Sequence, residues 1–237
     1  KPALEGTLRA LNAASNSKII KKVVLTSSMA SIAYGHNRDI CNANDWTDIS
    51  KDVGAYIKSK TISEKAAWDY LYNESNNSFD FTTIHPGMVF GPLLNKKRIG
   101  SSAGLILNMI RGKYPALPDV FFTVVDVRDV SRLHVDALKN IQSNNKRIIA
   151  TSEKGISFLK ISQILRDLGF EKSPKNLIPN KVINSLAPFN KEMRSTAAMI
   201  KRGYYGTDLD ETKKIFKWNS VPLEKTLKDM AESLESI

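Results

Sequence analysis

The chain has 237 residues, of which 42% are hydrophobic and 25% are charged, and its formal net charge is +11. This length accommodates one large or two small domains with a proper core, and the composition excludes a disordered or collagen-like chain. The single cysteine, Cys41, excludes an internal disulfide and a cysteine-rich metal site, and it fits a reducing cytoplasm.

The basic residues are spread along the chain in short groups such as Lys21-Lys22, Lys96-Lys97-Arg98 and Lys213-Lys214. These groups lack the aromatic pattern of RNA-binding motifs and the spacing of zinc fingers, so we predict a solvated basic surface and no nucleic-acid partner. Attraction for a phosphorylated cofactor is the second interpretation. No apolar run approaches the roughly 18 residues of a membrane helix, so no membrane segment is predicted.

Strands and helices alternate in the first part of the chain. Residues 3–15 predict a helix, and residues 23–25 predict a short buried strand that ends in Thr26-Ser27-Ser28. A second helix runs from Tyr56 to Leu71, after which residues 73–78 break the pattern. Residues 79–84 predict the next strand, which Pro86 should stop because proline lacks a ladder donor. This order implies a parallel crossover.

The second part is more helical and irregular. The patterns that follow in chain order are a helix centred on residues 105–110, an apolar run at 121–125, a helix that ends near residue 138, a short strand at 147–150, an amphipathic helix at 156–168, and two helical patterns within 207–234 that are split at 218–222. The chain therefore reads as an α/β layer followed by a helical region.

Tyr56 and Lys60 form the first candidate for chemistry. Residues four apart on a helix share a face, with about 5–6 Å between their Cβ atoms. A phenol with an ordinary pKa of about 10 is a poor proton donor at neutral pH, but a neighbouring ammonium in a water-poor cleft lowers that pKa. The pair predicts acid catalysis, although most such pairs are ordinary helix surface.

The ends of two strands supply the second candidate. Ser28 follows the strand at residues 23–25, and the turn HPGMVFGP at residues 85–92 follows the next strand. Ligands of open α/β sheets bind outside the carboxyl ends of the strands, so the serine, the tyrosine helix and the turn converge on one sheet edge. The alternatives are a simple cap at Ser28 and a simple turn at residues 85–92.

These stretches resemble the extended short-chain dehydrogenases/reductases, in the branch of dihydroflavonol, cinnamoyl-CoA and methylglyoxal or aldehyde reductases. The matching segments are PALEGT at 2–7, VVLTSS at 23–28, DW at 45–46, Tyr56 through Lys60 to EKAAW at 64–68, PGMVFGP at 86–92 and DVRDV at 126–130. The resemblance implies the C-terminal part of a doubly wound Rossmann-type parallel sheet with a smaller, more helical substrate region. It assigns residues 1–92 and about 121–151 to the dinucleotide-binding domain, and about 93–120 and 152–237 to the substrate region.

The resemblance also implies hydride transfer between a nicotinamide cofactor and a small-molecule carbonyl. Ser28 matches the substrate-polarising serine, Tyr56 the proton donor, and Lys60 the lysine that holds the nicotinamide ribose. The segment matching the backbone beside the nicotinamide contains Pro86, Met88 and Val89, and Ser102 matches a cofactor-contacting serine. The expected cofactor is NADP, with NAD as the alternative, no metal is expected, and the expected location is the cytoplasm.

One departure from the family concerns its Gly-rich turn, G-x-x-G-x-x-G, which receives the pyrophosphate and occurs nowhere in this sequence. We therefore expect coding sequence to be missing upstream of Lys1, and weak dinucleotide binding and little activity from residues 1–237 alone. Two alternative functions stay open: a sugar-nucleotide epimerase or dehydratase, which shares the serine, tyrosine and lysine, and an inactive fragment or basic binding module.

Overall fold

A computed structural model describes residues 1–73, 79–95 and 99–235, so residues 74–78 of the helix break predicted at 73–78 and the basic triplet at 96–98 lie outside the described residues. The helices are α1 Pro2–Ser15, α2 Ala55–Asn73, α3 Ser101–Ile110, α4 Val127–Lys139, α5 Phe158–Asp167, α6 Asn180–Leu186, α7 Lys191–Arg202, α8 Asp210–Phe216 and α9 Leu223–Glu235. The strands are β1 Lys22–Thr26, β2 Ile40–Cys41, β3 Asp80–Pro86, β4 Met88–Phe90, β5 Phe121–Phe122, β6 Val124–Asp126, β7 Lys146–Ala150, β8 Ile156–Ser157 and β9 Gly206–Thr207. Within the described ranges, no helix has the length and apolar content that a bilayer crossing requires.

A three-stranded parallel sheet with the order β1-β3-β7 forms the centre of the first part. Lys22 of β1 pairs with Asp80 of β3, and Thr82 of β3 pairs with Lys146 of β7. Helix α2 connects β1 to β3, and both strands run in the same direction. The predicted parallel crossover and the three predicted strands are therefore confirmed.

Helices cover both faces of this sheet. Phe81, on one face of β3, packs in a cluster with residues of α1 and α2, including Leu11 and Trp68. Ile84, on the other face, packs with Leu133 of α4. Because Phe81 and Ile84 are fully buried, each contributes about 1.5–3 kcal/mol by leaving water. The sheet is the doubly wound, Rossmann-type arrangement that the sequence predicts.

The prediction that Pro86 lies beyond the end of a strand is wrong, because β3 continues through His85 and Pro86. The neighbouring strand β1 ends at Thr26, opposite Ile84. No β1 residue therefore needs a backbone N–H donor from position 86. On the other side of β3, Pro86 is aligned with Ala150 of β7. A proline at the last position of a strand costs the ladder little under these conditions.

The C-terminal part has its own core, in which α3, α5 and α9 pack with β4, β6 and Phe122 of β5. The amphipathic pattern at 156–168 is a helix only from Phe158, because Ser157 caps α5 by accepting a hydrogen bond from the Lys160 amide at 3.1 Å. Sequence patterning did not predict α6, α7 or the two-residue pairing of β2 with β9. Helix α6 and the two-residue strands carry too few residues to show a period, whereas α7 has 12 residues and its pattern was missed.

Candidate active site

The turn after β1 presents Ser28 at the carboxyl edge of the sheet. The Ser27 amide still donates to the Ile84 carbonyl of β3 at 2.8 Å, and the chain then leaves the sheet in a single 3₁₀ turn, Met29–Ser31. The half-buried Ser28 caps this turn, since its Oγ accepts from the Ala30 amide at 3.1 Å. Because a hydroxyl that accepts one bond keeps its own hydrogen, the capping interpretation leaves Ser28 able to donate to a bound molecule.

Helix α2 brings Tyr56 and Lys60 to the same edge. Lys60 is half-buried, and its Nζ donates to the Thr26 carbonyl at 3.5 Å, two residues before Ser28. One turn earlier in the helix, Tyr56 is 61% exposed. The Thr61 hydroxyl lies 3.4 Å from the Ala30 carbonyl, so the helix packs directly on the Ser28 turn. The structure therefore places the serine, the tyrosine and the lysine on neighbouring segments at one edge of the sheet.

The electrostatics around Lys60 reflect partial burial. Burial lowers the pKa of Lys60 from its ordinary value, and the Glu64 carboxylate one helical turn later opposes that change. The exposure of Tyr56 differs from the water-poor cleft that the sequence interpretation needs. The described residues alone therefore leave the phenol open to solvent.

The predicted cofactor-contacting residues follow the end of β3. Pro86 is the last residue of β3, and the half-buried Met88 and Val89 lie on β4, which pairs with β6. The Met88 amide donates to the Thr123 carbonyl at 2.7 Å. Ser102 is half-buried in the first turn of α3, a helix that packs against β4 and α9. The structure thus brings Pro86 to the edge beside Ser28, and Ser102 belongs to the C-terminal part.

Glu64 is a buried acid beside this site. The sequence pointed to it only as part of the matching EKAAW segment. It is 1% exposed on α2. Its carboxylate accepts hydrogen bonds from the hydroxyls of Ser27 and Ser31, the indole of Trp68 at 3.3 Å, His85 Nε2 at 2.7 Å and Arg147 Nε at 2.8 Å. The sequence offered one clue, the spacing of four residues between Lys60 and Glu64, which puts both on one helix face.

The charge of Glu64 is compensated by two basic side chains. Burial alone would raise the pKa of Glu64, but His85 and Arg147 outweigh it and hold that pKa well below its ordinary value. Arg147 also stacks on the Trp46 ring, with its guanidinium carbon 3.8 Å from the ring centroid. Glu64 is therefore a buried carboxylate with partners on several elements, so its geometry is fixed.

Two large cavities lie near α2. One, of about 880 Å³, lies next to the loop that leads into the helix and is lined by residues including Tyr34, Val53 and Arg194. The other, of about 900 Å³, lies at the far end of α2 and at the start of β7, where Trp68 and Lys146 line it. Only the first lies near the beginning of α2, where Tyr56 is located.

Comparisons with known proteins agree on one family. The model of the 3-beta hydroxysteroid dehydrogenase/isomerase family matches residues 1–157. Cinnamoyl-CoA reductase CAD2 of Medicago truncatula is 32% identical over 243 residues, which covers 99% of this chain and 66% of that protein. The NADPH-dependent methylglyoxal reductase GRE2 of Saccharomyces cerevisiae is 30% identical over 164 residues, covering 62% of this chain and 48% of that protein.

Solved structures give the same result. The crystal structure of Gre2 from Candida albicans in complex with NADPH superimposes with a TM-score of 0.78 at 26% identity, covering 99% of this chain and 70% of that one. This chain spans 66% of the plant reductase and about half of the three yeast oxidoreductases that match next. The chain belongs to the 3-beta hydroxysteroid dehydrogenase/isomerase family, within the branch of the extended short-chain dehydrogenases/reductases that contains cinnamoyl-CoA, anthocyanidin and Gre2-type methylglyoxal reductases.

Proposed function

We propose that the whole protein is an NADPH-dependent reductase of a small-molecule aldehyde or ketone, and that this chain supplies its catalytic side chains. The observation that carries the proposal is the convergence of Ser28, Tyr56 and Lys60 at the carboxyl edge of β1 and β3. The relatives support it, because their names describe NADPH-dependent reductases.

The residues present fit the nicotinamide end of such a cofactor. Lys60 Nζ carries three hydrogens. Within the described ranges it donates one hydrogen bond, to the Thr26 carbonyl at a distance of 3.5 Å. The remaining hydrogens and the exposed phenol of Tyr56 are available for the ribose hydroxyls of NADPH, or of NAD(H) as the alternative. Pro86, Met88 and Val89 would face the nicotinamide amide, and Ser102 would contact the cofactor from α3. NADPH supplies the hydride.

The chain's own residues bind and protonate the carbonyl oxygen of the substrate. Ser28 donates a hydrogen bond to this oxygen, which stabilises the negative charge that develops on it. Tyr56 transfers its phenolic proton to the same oxygen, so that the product is an alcohol. The Lys60 ammonium stabilises the charge that the tyrosine oxygen acquires when it loses the proton.

We propose the same division of labour between the two parts of the chain that the sequence suggests. Residues 1–92 and about 121–151 carry the nicotinamide end of the dinucleotide site, and residues 93–120 and 152–237 form the substrate region. The hydrophobic cluster of Leu11, Trp68 and Phe81, which contains only residues of the first range, supports this division. The cavity of about 880 Å³ between the loop before α2 and helix α7 is our candidate for the substrate entrance. The buried free thiol of Cys41 supports a cytoplasmic location.

Replacement of the tyrosine tests the proposed function. In the whole protein, Tyr56→Phe should lower kcat for NADPH-dependent aldehyde reduction by a factor of roughly 100 to 10,000, because only the proton donor is lost. The dissociation constant of NADPH should change little. Tyr72→Phe is the matched control, since Tyr72 is an exposed tyrosine near the other end of α2.

Three results would contradict the proposal. Near-normal turnover of Tyr56→Phe would exclude the tyrosine as the proton donor. Conversion of a sugar nucleotide without net NADPH consumption would identify an epimerase or dehydratase instead. Binding to DNA or RNA that weakens steeply with salt, without aldehyde reduction, would favour the basic binding module.

A further inference from the structure

Glu64 lies on the same face of α2 as the two proposed catalytic residues. It follows Lys60 by one helical turn and Tyr56 by two, so the three side chains form one stripe along the helix. Glu64 is 1% exposed, whereas Tyr56 is 61% exposed. The stripe therefore leads from the open edge of the site into the interior.

The carboxylate of Glu64 bonds to the residues on both sides of Ser28. The Ser27 hydroxyl donates to Glu64 Oε2 at 2.5 Å, and the Ser31 hydroxyl contacts the same oxygen. Ser31 Oγ also lies 2.8 Å from the Ser28 carbonyl, and the Ser31 amide donates to that carbonyl at 3.0 Å. One acidic group therefore spans the turn that presents the Ser28 hydroxyl.

The other side of the carboxylate is fixed to the sheet. His85 of β3 and Arg147 of β7 approach Glu64 Oε1 at 2.7 Å and 2.8 Å. Arg147 is itself held, because its Nη1 donates to the carbonyls of Ala43 at 2.6 Å and Asp45 at 2.7 Å. Since His85 is buried and Arg147 is held by further hydrogen bonds, the carboxylate has little freedom to move.

We propose that Glu64 is a positioning residue, which fixes the Ser28 turn against the helix that carries Tyr56 and Lys60. The inference rests on the proposed function, because it assigns Ser28 a role in carbonyl reduction. A purely structural Glu64 would affect stability alone. A positioning Glu64 also affects the order of the turn and the contribution of Ser28 to kcat.

The serine contacts offer a sharper test than the acid itself, since Glu64→Gln removes the buried charge that His85 and Arg147 contact and can fail to fold. Ser27→Ala combined with Ser31→Ala removes the links to the turn and keeps the ion pairs. Ser162→Ala is the matched control, because Ser162 is a fully buried serine that donates to the Pro174 carbonyl at 2.6 Å in the C-terminal part.

Hydrogen exchange measures the order of the turn without any reaction. In Ser27→Ala/Ser31→Ala, the amides of Ser31 and Ala33 should exchange roughly tenfold faster than in the wild type, and in Ser162→Ala they should exchange at the wild-type rate. Unchanged exchange in the double variant would overturn the proposal.

Kinetics on the whole protein measure the coupling to Ser28. The double variant should lower kcat roughly ten- to a hundredfold with little change in the KM for NADPH, because a displaced hydroxyl is a poor donor. The same change made in a Ser28→Ala background should add little. An equal loss in both backgrounds would overturn the proposal. If the wild-type protein reduced no carbonyl, the proposed function would fail, while faster exchange would still support fixation of the turn by Glu64.

Discussion

Burial and a neighbouring charge act in opposite directions on the pKa of Lys60. Partial burial lowers its pKa, and the Glu64 carboxylate one turn away opposes this change. Glu64 is in turn compensated by His85 and Arg147. The Glu64 carboxylate is therefore already bonded to His85 and Arg147. The ammonium hydrogens of Lys60 that are not bonded to Thr26 can then point toward the open edge, where Tyr56 lies.

The same carboxylate predicts how stability depends on pH. The pKa of Glu64 in the folded chain is below its ordinary value of 4.5, so the folded state binds a proton less readily than the unfolded state. Its contribution to stability is therefore fully present above pH 4.5 and is lost progressively as the pH falls below that value. Glu64→Gln should lower the free energy of unfolding by about 3 kcal/mol at pH 7, because it removes the charged acceptor that the buried His85 and the half-buried Arg147 contact.

Denaturant unfolding at pH 7 and at several lower pH values checks this prediction. The difference between wild type and Glu64→Gln should shrink as the pH falls below 4.5, because the Glu64 carboxyl is then protonated in the unfolded chain while it is still ionised in the folded one. A matched control is Glu232→Gln, since Glu232 pairs with Lys228 on the surface and should change stability little. A difference that stays constant across this pH range would contradict the assigned charge of Glu64.

Among the elements, those with long or β-branched patterns could be predicted from the sequence. Helices α1 and α2 and strands β1 and β7 lie within one or two residues of their predicted bounds. Two further elements were also predicted to within two residues, but the ends of both depend on neighbouring residues that a pattern does not show. Strand β3 extends through Pro86 only because β1 has already ended, and α5 starts at Phe158 only because Ser157 acts as its cap.

The candidate site likewise has one part that the sequence predicts and one part that it does not. Ser28, Tyr56 and Lys60 could be found because the strand end and the spacing of four residues are local features of the sequence. The network of Glu64 could not be found, because its partners are distant: Ser27 is 37 residues away, His85 is 21 and Arg147 is 83. Such contacts depend on the packing of α2 across the sheet, which no local period records.

The junction between β3 and β4 allows a prediction at the element scale. A Cβ added at Gly87 would lie 2.2 Å from the Thr151 hydroxyl and 2.3 Å from the Thr123 carbonyl. Because the carbonyl belongs to the backbone and Thr151 is fully buried, neither can move aside cheaply. Gly87→Ala should therefore lower the free energy of unfolding by about 1–3 kcal/mol or more, as overpacking does.

The matched control for Gly87→Ala is a glycine at which the same substitution should raise stability. Gly6 lies within α1, and an added Cβ there meets no atom within 4 Å among the described residues. Gly6→Ala should raise the free energy of unfolding by about 0.5–1 kcal/mol, because alanine favours the helix interior. Thermal unfolding of both variants separates a steric effect at Gly87 from a general effect of adding a methyl group. Equal shifts in the two Tm values would contradict the steric effect at Gly87.

At the scale of the whole molecule, one polar cluster joins the sheet part to the last helix. Asp126, at the end of β6, is 2% exposed and caps α4 by accepting from the Arg128 amide at 2.8 Å. Arg128 in turn donates to Asp229 of α9 at 2.6 Å. Burial alone would raise the pKa of Asp126, but the hydrogen bonds from Arg128 and Thr226 outweigh it and hold that pKa below its ordinary value.

Thr226 supplies the buried half of this connection, and its removal tests whether the two parts stabilise each other. Its hydroxyl donates to Asp126 Oδ2 at 2.7 Å, and the residue is 2% exposed. Thr226→Val keeps the shape but removes the donor, so it should lower the free energy of unfolding by about 2 kcal/mol, the range for a hydrogen bond to a charged group. Thr196→Val is the control, since the Thr196 hydroxyl donates only within its own helix, to the Glu192 carbonyl at 2.9 Å. Equal stability of the two variants in urea would show that the hydrogen bond from Thr226 to Asp126 adds nothing to the docking of α9.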